Sequence, residues 1–397
     1  MFNVNGISKL SFYLIFPGFF YYGWLVASGL LMPLPLGYYG LVVPLVLFMF
    51  LVSSVLYGDN SIVSCGYLGL VFIVLQMYMI IASFVNYLFC VGGDYSSSLF
   101  LWVASGCLLN IVLYYTGRYL SFDKSNLYFF VLVGFFAIIF LNLGDDYIFY
   151  LKRNADADVQ DNIATYQGFG RSLMVFGLFA VVFSGKYLSF VCFVLSLLML
   201  FLNGARTELF LFVVGVSSYL FFLLGAVRGV VVSLGSFVVI VCLGYFYYII
   251  NPESRIFEFF TSNQSSSGSA RFDMLLFSVS SVFSSVQSII LGDFGSYVEF
   301  GGIGAYPHNL FSAWHNFGVV VFLLYVSLIL YLWWLLLFII KSKSPLLGFG
   351  VAILTITTVA YVISKDNSYM LFGLLVGIAT NKKLIQQNEF LTSDKNY

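Results

Sequence analysis

The chain has 397 residues, of which 61% are hydrophobic and 9% charged, and its 17 basic and 17 acidic side chains cancel. A soluble globular surface uses about a quarter charged residues, so composition excludes a water-soluble domain and makes lipid the natural solvent. Zero net charge gives no basic surface for nucleic acid.

A membrane-crossing helix needs about 20 mostly apolar residues. Such runs are predicted near 10–31, 36–57, 62–90, 99–116, 126–144 and 170–185, and again near 188–204, 209–227, 229–250, 316–340, 345–364 and 368–381. The expectation is an all-α, polytopic membrane protein of about 12 transmembrane helices, with 1–397 as a single integral membrane domain. The first run is too long and too aromatic for a cleaved signal peptide and reads as a retained helix. Pro33, Pro35, Gly92, Gly93, Pro252 and Pro345 fall between runs or at their edges, where helix breakers belong. Cys65, Cys90, Cys107, Cys192 and Cys242 all sit inside apolar runs without metal-ligand spacing, as small apolar residues do.

Cytoplasmic loops collect Lys and Arg. With the N-terminus inside, Lys9, Arg118, Lys124, Lys186, Arg228, Lys341, Lys343, Lys382, Lys383 and Lys395 all fall inside, while all but four of the 17 acids fall outside. Both termini are therefore expected in the cytoplasm. Two long outer loops result, 145–171 and 251–315, and long loops in a compact protein are usually functional or disordered. Within the second, Phe272–Leu291 is apolar with interspersed Ser, as in a short helix lying at the interface. The chain has no evident internal repeat and no ionisable residue near the middle of a predicted span, both of which ion-coupled transporters tend to have.

Chemistry is then expected at the outer face. Seven basic residues fall there against the usual charge bias: Lys152, Arg153, Arg171, Arg206, Arg255, Arg271 and Lys365. Arg presents a rigid fork of donors that matches phosphate oxygens. Arg206 lies in the tight turn NGARTEL with Glu208, Arg171 opens a span in GFGRSL, and Arg271 ends a Ser/Gly stretch in SGSARFD. The alternative for any of them is snorkelling to headgroups or pairing with a nearby acid, the better reading for Arg153, Arg255 and the lysines. Both histidines lie in YPHNLFSAWHNFGVV, where His308 precedes Asn309 and His315 follows seven residues later. On one helix that spacing sets them on a common face roughly 10 Å apart, too far to share a metal ion. An imidazole can accept a proton near neutral pH or donate a hydrogen bond to an anion; the alternative is a pair of interfacial histidines capping a span. Asp156 and Asp158 form a DxD in an acidic loop, where chance explains it, and the first outer loop, LMPLPLG, carries no acid, so a metal-free mechanism is expected.

ILGDFGSY followed by YPHNLFSAWHNFGVVVFLLY resembles the O-antigen polymerase and ligase superfamily of bacterial inner membranes, as do the turn NGARTELFLF and the segment SARFDM. The likeness in topology covers most of the chain, and that in motifs about 200–325. It implies a GT-C-like, multi-pass inner-membrane glycosyltransferase with its large loop in the periplasm, needing no cofactor. The implied substrate is undecaprenyl-diphosphate-linked oligosaccharide, the growing glycan moving onto a new lipid-linked repeat unit. Membrane lipid and a polysaccharide chain-length regulator are the implied partners. Arg171, Arg206 and Arg271 would bind diphosphate, His308 would accept the acceptor's proton with Glu208 behind it, and His315 and Asn309 would contact substrate. The shorter loops and the Phe/Tyr-rich composition look more like the polymerase branch. The alternatives are a ligase joining the polymer to lipid A core, a lipid-linked oligosaccharide flippase or other transporter, and a structural membrane subunit.

Overall fold

A computed structural model describes residues 3–57, 66–144, 149, 166–250, 266–302, 305–339 and 344–385. Among these the chain is helical throughout, and its one β-bridge pairs Leu143 with Phe149. In chain order the helices are α1 Val4–Ala27, α2 Gly37–Tyr57, α3 Gly66–Leu88, α4 Ser96–Tyr119 and α5 Leu127–Leu141. There follow α6 Tyr166–Phe183, α7 Lys186–Leu202, α8 Arg206–Leu224 and α9 Ala226–Ile250. Four shorter pieces, α10 Ser266–Val282, α11 Val286–Leu291, α12 Tyr297–Gly301 and α13 Phe311–Phe317, precede α14 Val319–Trp334, α15 Pro345–Ile363 and α16 Leu371–Ala379.

Each of the twelve apolar runs expected from the sequence carries helix, and eight helices among the described residues are long and apolar enough to cross a bilayer. The apolar helices Leu127–Leu141, Gln167–Phe183 and Lys186–Leu202 are shorter, and α16 has 9 residues. At a rise of about 1.5 Å per residue, a helix of some 16 residues reaches about 24 Å, less than a hydrocarbon core of about 30 Å. The chain is thus a polytopic membrane protein with eight candidate spans. Local chemistry explains several boundaries. The Asn3 side chain accepts the Gly6 N–H at 2.8 Å and caps the start of α1. Pro17, inside α1, cannot donate to the helical ladder, and the backbone widens to a π-turn over Leu14–Gly18.

Two expectations for the 251–315 loop change. Phe272–Leu291 forms parts of two helices, because Ser285 takes extended backbone and accepts the Ser288 N–H at 3.0 Å, which starts α11 afresh. The tenth span does not begin before Gly318. That residue has φ +85, and a Cβ there would lie 1.9 Å from the Ile290 carbonyl oxygen, so only glycine permits the break between α13 and α14.

The chain packs as two compact units. Unit 1 comprises Met1–Val46, Ser121–Asn263 and Lys343–Ile356; unit 2 comprises Leu47–Leu120, Gln264–Ser342 and Thr357–Tyr397. Unit 1 is centred on an aromatic cluster. Phe179 meets Phe12, Phe122, Tyr128 and Phe183 at ring-centre separations of 4.6 to 4.9 Å, and Phe176 and Phe349 close the group. Unit 2 is centred on α4 packed against α16. A Cβ at Gly373 would meet the Asn110 carbonyl oxygen at 2.1 Å and one at Gly377 the Tyr114 carbonyl oxygen at 2.2 Å, so glycine lets the two backbones touch. Asn110 seals the contact: its Oδ1 accepts the Gly373 N–H at 2.9 Å and its amide donates to the Ser368 carbonyl at 3.2 Å.

Candidate functional site

The sequence-nominated residues fall into two groups, one in each unit. In unit 1, α8 starts at Arg206 directly after the turn at Gly204, whose φ is +67. Glu208, in the first turn of α8, is enclosed, and a carboxylate is favoured there by the amide N–H groups that open a helix. The first turns of α6 close on that turn: a Cβ at Gly170 would lie 2.5 Å from the Ala205 Cβ and 3.4 Å from the Glu208 Cβ. Arg171 follows Gly170 and lies within electrostatic reach of Tyr39. Arg171, Arg206 and Glu208 are thus one neighbourhood.

In unit 2, His308 and His315 do not share a helix. Helix α13 begins only at Phe311, beyond the bend that carries Pro307 and His308. The rings consequently have different surroundings. His308 is half-buried, and its ring lies 4.7 Å from that of Tyr306, which stacks on Trp102 of α4 at 4.9 Å. Burial and then the positive charges of Arg271 and Lys365 hold its pKa down at about 4. At neutral pH it is an uncharged donor and acceptor beside two cations. Arg271 lies on α10, whose helix packs against α13. Lys365 lies in the turn between α15 and α16, where Ser368 Oγ donates to the Asp366 carboxylate at 2.8 Å. Asn309 turns its side chain to the backbone, accepting the Phe311 N–H at 3.0 Å.

His315 is completely enclosed. Its Nε2 is 3.1 Å from Ser296 Oγ, which is 3.3 Å from Ser281 Oγ, and Ser281 Oγ in turn donates to the Asp293 carboxylate. Burial lowers the His315 pKa, with Asp293 and the Asn316 side chain opposing. The Asp293 N–H also donates to the His315 carbonyl, at 2.6 Å. Tyr297 packs on the His315 ring at 5.6 Å, and burial and the nearby Asp366 charge push its phenol pKa up.

The turn carrying Lys365 is tied to α13. Ser312 Oγ donates to Asn367 Oδ1 at 3.0 Å and accepts the Asn367 N–H at 2.9 Å, and the Leu310 N–H donates to the Tyr361 carbonyl at 2.8 Å. Behind it, Tyr325 Oη of α14 donates to the Asn367 carbonyl at 3.0 Å and accepts from Gln76 Nε2 of α3 at 3.3 Å. Sequence reasoning read Lys365 as a headgroup or ion-pair residue and did not single out Asp293, Ser281 or Ser296. The Gly-rich context LGDFGSY was the available signal for Asp293, but the serines have none, since Ser is common throughout the loop. Lys152, Arg153, Asp156, Asp158 and Arg255 lie outside the described residues. Among the described residues no set of three or more His, Cys, Asp or Glu is arranged to hold a metal ion.

What this arrangement can do is bind an anion at Arg271 and Lys365, with a neutral imidazole beside it, on a segment joined to membrane-crossing helices. Comparison with known protein families finds no match, and no curated protein is significantly similar to the chain.

Proposed function

We propose that this chain is an O-antigen polymerase, a glycosyltransferase that moves a growing undecaprenyl-diphosphate-linked glycan onto a new lipid-linked repeat unit at the periplasmic face of the inner membrane. The observation that carries the reading is the convergence of Arg271 and Lys365 on His308 within unit 2. Together with the resemblance in LGDFGSY and YPHNLFSAWHNFG, it suits a lipid diphosphate better than an ion or a neutral solute. In such a transfer the leaving group is already a diphosphate. The barrier falls when the charge developing on it meets cations already in place. Arg271 offers a bidentate fork and Lys365 a point charge. The neutral His308 can donate a hydrogen bond to a diphosphate oxygen without a third positive charge in the cluster. Arg171 and Arg206 remain candidates for contacts to lipid diphosphate, with Glu208 as their carboxylate neighbour.

A strain lacking the gene tests this. Its lipopolysaccharide should carry at most a single repeat unit on the core. Bare core with long polymer retained on the lipid carrier would mean a ligase, and repeat units held on the cytoplasmic face would mean a flippase. Complementation sharpens the site. Arg271→Ala should lower polymer formation by roughly two orders of magnitude at normal membrane abundance, equivalent to about 3 kcal/mol of transition-state stabilisation, with Arg271→Lys recovering part of it. Normal polymer from Arg271→Ala would remove the diphosphate contact from the proposal.

A further inference from the structure

A group of aromatic rings in unit 2 lies against the anion cluster. Trp102 of α4 stacks on Tyr306, with ring centres 4.9 Å and planes 29° apart, and Tyr306 lies 4.7 Å from the His308 ring. His308 in turn feels both Arg271 and Lys365. Helix α4 explains the meeting. Gly106 stands one helical turn after Trp102 on the same face, and a Cβ there would lie 3.1 Å from the Ser368 Cβ, in the turn that carries Lys365. Asn110, one turn further, donates to the Ser368 carbonyl at 3.2 Å. The face of α4 that holds the Lys365 turn thus also presents Trp102.

Trp102, Tyr306, His308, Arg271 and Lys365 are all half-buried. Tyr297, edge-on to Tyr306 at 6.0 Å, is enclosed. The rings therefore run from the interior of the unit out to an accessible surface. Trp102 also differs from Trp314 and Trp333. The Trp314 indole donates to the Ile289 carbonyl and the Trp333 indole to Thr358 Oγ1, each at 3.0 Å. The Trp102 carbonyl accepts from Ser105 Oγ at 3.0 Å, but its indole N–H meets no acceptor among the described residues.

What such a surface binds follows from its parts. A bare phosphate needs cations and no rings. A lipid tail needs apolar area and no cations. A flat base needs a slot between rings, and Trp102 and Tyr306 already stack on each other. A pyranose has an apolar face of C–H groups and a rim of hydroxyls, which suits an aromatic face with an open N–H at its edge. Beside Arg271 and Lys365, that is the chemistry of a sugar joined to a diphosphate.

We propose that Trp102 and Tyr306 form the sugar subsite of the anion cluster: the apolar face of a pyranose lies on the Trp102 ring, the indole N–H donates to one of its hydroxyls, and the diphosphate that carries the sugar sits at Arg271 and Lys365. The proposal rests on the glycosyltransferase reading above, which supplies a lipid-linked glycosyl diphosphate. Tyr306 backs the indole and is a positioning residue. No bond is made or broken at the rings, so their effect is on which ligand binds.

The full-length protein in lipid nanodiscs is titrated with two lipids: undecaprenyl diphosphate, and the lipid-linked repeat unit extracted from the strain lacking the gene. The unmodified protein should bind the repeat unit about tenfold more tightly than the bare diphosphate. Trp102→Ala should erase that preference and leave affinity for undecaprenyl diphosphate unchanged. Trp102→Phe should keep part of the preference, and Arg271→Ala should weaken both lipids alike. Full preference in Trp102→Ala, or equal weakening of both lipids by it, overturns the subsite. A second readout does not depend on Trp102→Ala folding. The chain has 5 tryptophans, and in protein carrying 5-fluorotryptophan the fluorine signal missing from Trp102→Phe belongs to Trp102. That signal should move with the repeat unit and stay in place with undecaprenyl diphosphate. A signal that moves with neither, or equally with both, overturns the subsite, as does displacement of the repeat unit by uridine diphosphate, which would mean a nucleotide site. If the unmodified protein binds both lipids alike, the subsite alone fails. If it binds neither, or the strain holds no lipid-linked repeat unit, the glycosyltransferase reading fails and the subsite with it.

Discussion

The two units bury different chemistry. The interior of unit 1 is built around stacked and edge-on aromatic rings, with Phe179 at the centre and the Tyr128 and Tyr13 rings bringing hydroxyls to its edge. The interior of unit 2 carries a hydrogen-bonded line from Gln76 through Tyr325 and Asn367 to Ser312. In a membrane, lipid is as apolar as Leu, so apolar side chains gain little from choosing protein over lipid except better packing. Rings that interlock exploit packing, while a polar group that must find a partner fixes position. The difference is instructive because the polar line ends on the turn that carries Lys365 and on the helix that carries His315. Unit 1 gains a tight core from its sequence, whereas unit 2 gains a defined placement of charged and titratable groups.

The largest expected effect tests the aromatic side. Phe179→Ala removes a ring with no exposed surface, and truncating such a residue in a core costs about 3–5 kcal/mol, of which the cavity contribution persists in lipid. Thermal unfolding in detergent should move down by many degrees, while protein that remains folded should keep its activity. A loss of activity without a loss of stability would show that the cluster does more than pack.

Asn367→Ala should cost less but reach further. It removes the acceptor of the Ser312 hydroxyl, and an unpaired buried donor costs about 2 kcal/mol. Polymer formation should fall at temperatures where the variant is folded, because the Lys365 turn is no longer held to α13. Equal retention of activity by Asn367→Ala and Phe179→Ala would erase the contrast between the units. Tyr325→Phe, which removes one hydroxyl between Gln76 and the Asn367 carbonyl, should cost about 1 kcal/mol, within the range of measured hydrogen bonds between membrane helices. A double-mutant cycle of Tyr325→Phe with Asn367→Ala should show coupling between them. Additive costs would mean the line is not a connected network.

The smallest effect is in pH dependence. His308 titrates at about 4 in the folded chain against an ordinary value of 6.5, so between those values the unfolded chain binds more protons. Stability contributed by the neutral imidazole is fully present above about pH 6.5 and is lost as pH falls towards 4. His315, also lowered by burial, has the same sign. Melting temperature against pH should fall less steeply on the acid side for His308→Gln than for the unmodified chain. Because His308 is half-exposed, solvent screening keeps the difference small. A steeper acid loss in the variant would contradict the cationic neighbourhood described for His308.

Much of this protein was legible along the chain. Length, the scarcity of charge and the apolar runs determine an all-helical membrane protein, because a bilayer demands continuous helices with their backbone bonds satisfied internally. Arg206 with Glu208, and Arg271, His308 and Asn309, stood out as residues since charge is rare enough here that each instance needs a reason. What one-dimensional reading could not decide were the features that depend on breaks and on distant pairing. The bend at Pro307–His308 sets His308 off the helix that carries His315, two residues a regular helix would have aligned, and the stop at Gly318 ends that helix before α14. Lys365, 57 positions after His308, reaches the same cluster through the hydrogen bonds of Asn367 with Ser312 and of Leu310 with Tyr361. The hydrogen-bonded line of Asp293, Ser281, Ser296 and His315 exists only once four side chains from three segments meet. A serine carries no positional signal in the sequence, because its hydroxyl can donate or accept anywhere. Its role is set by its neighbours, and those only the tertiary structure supplies.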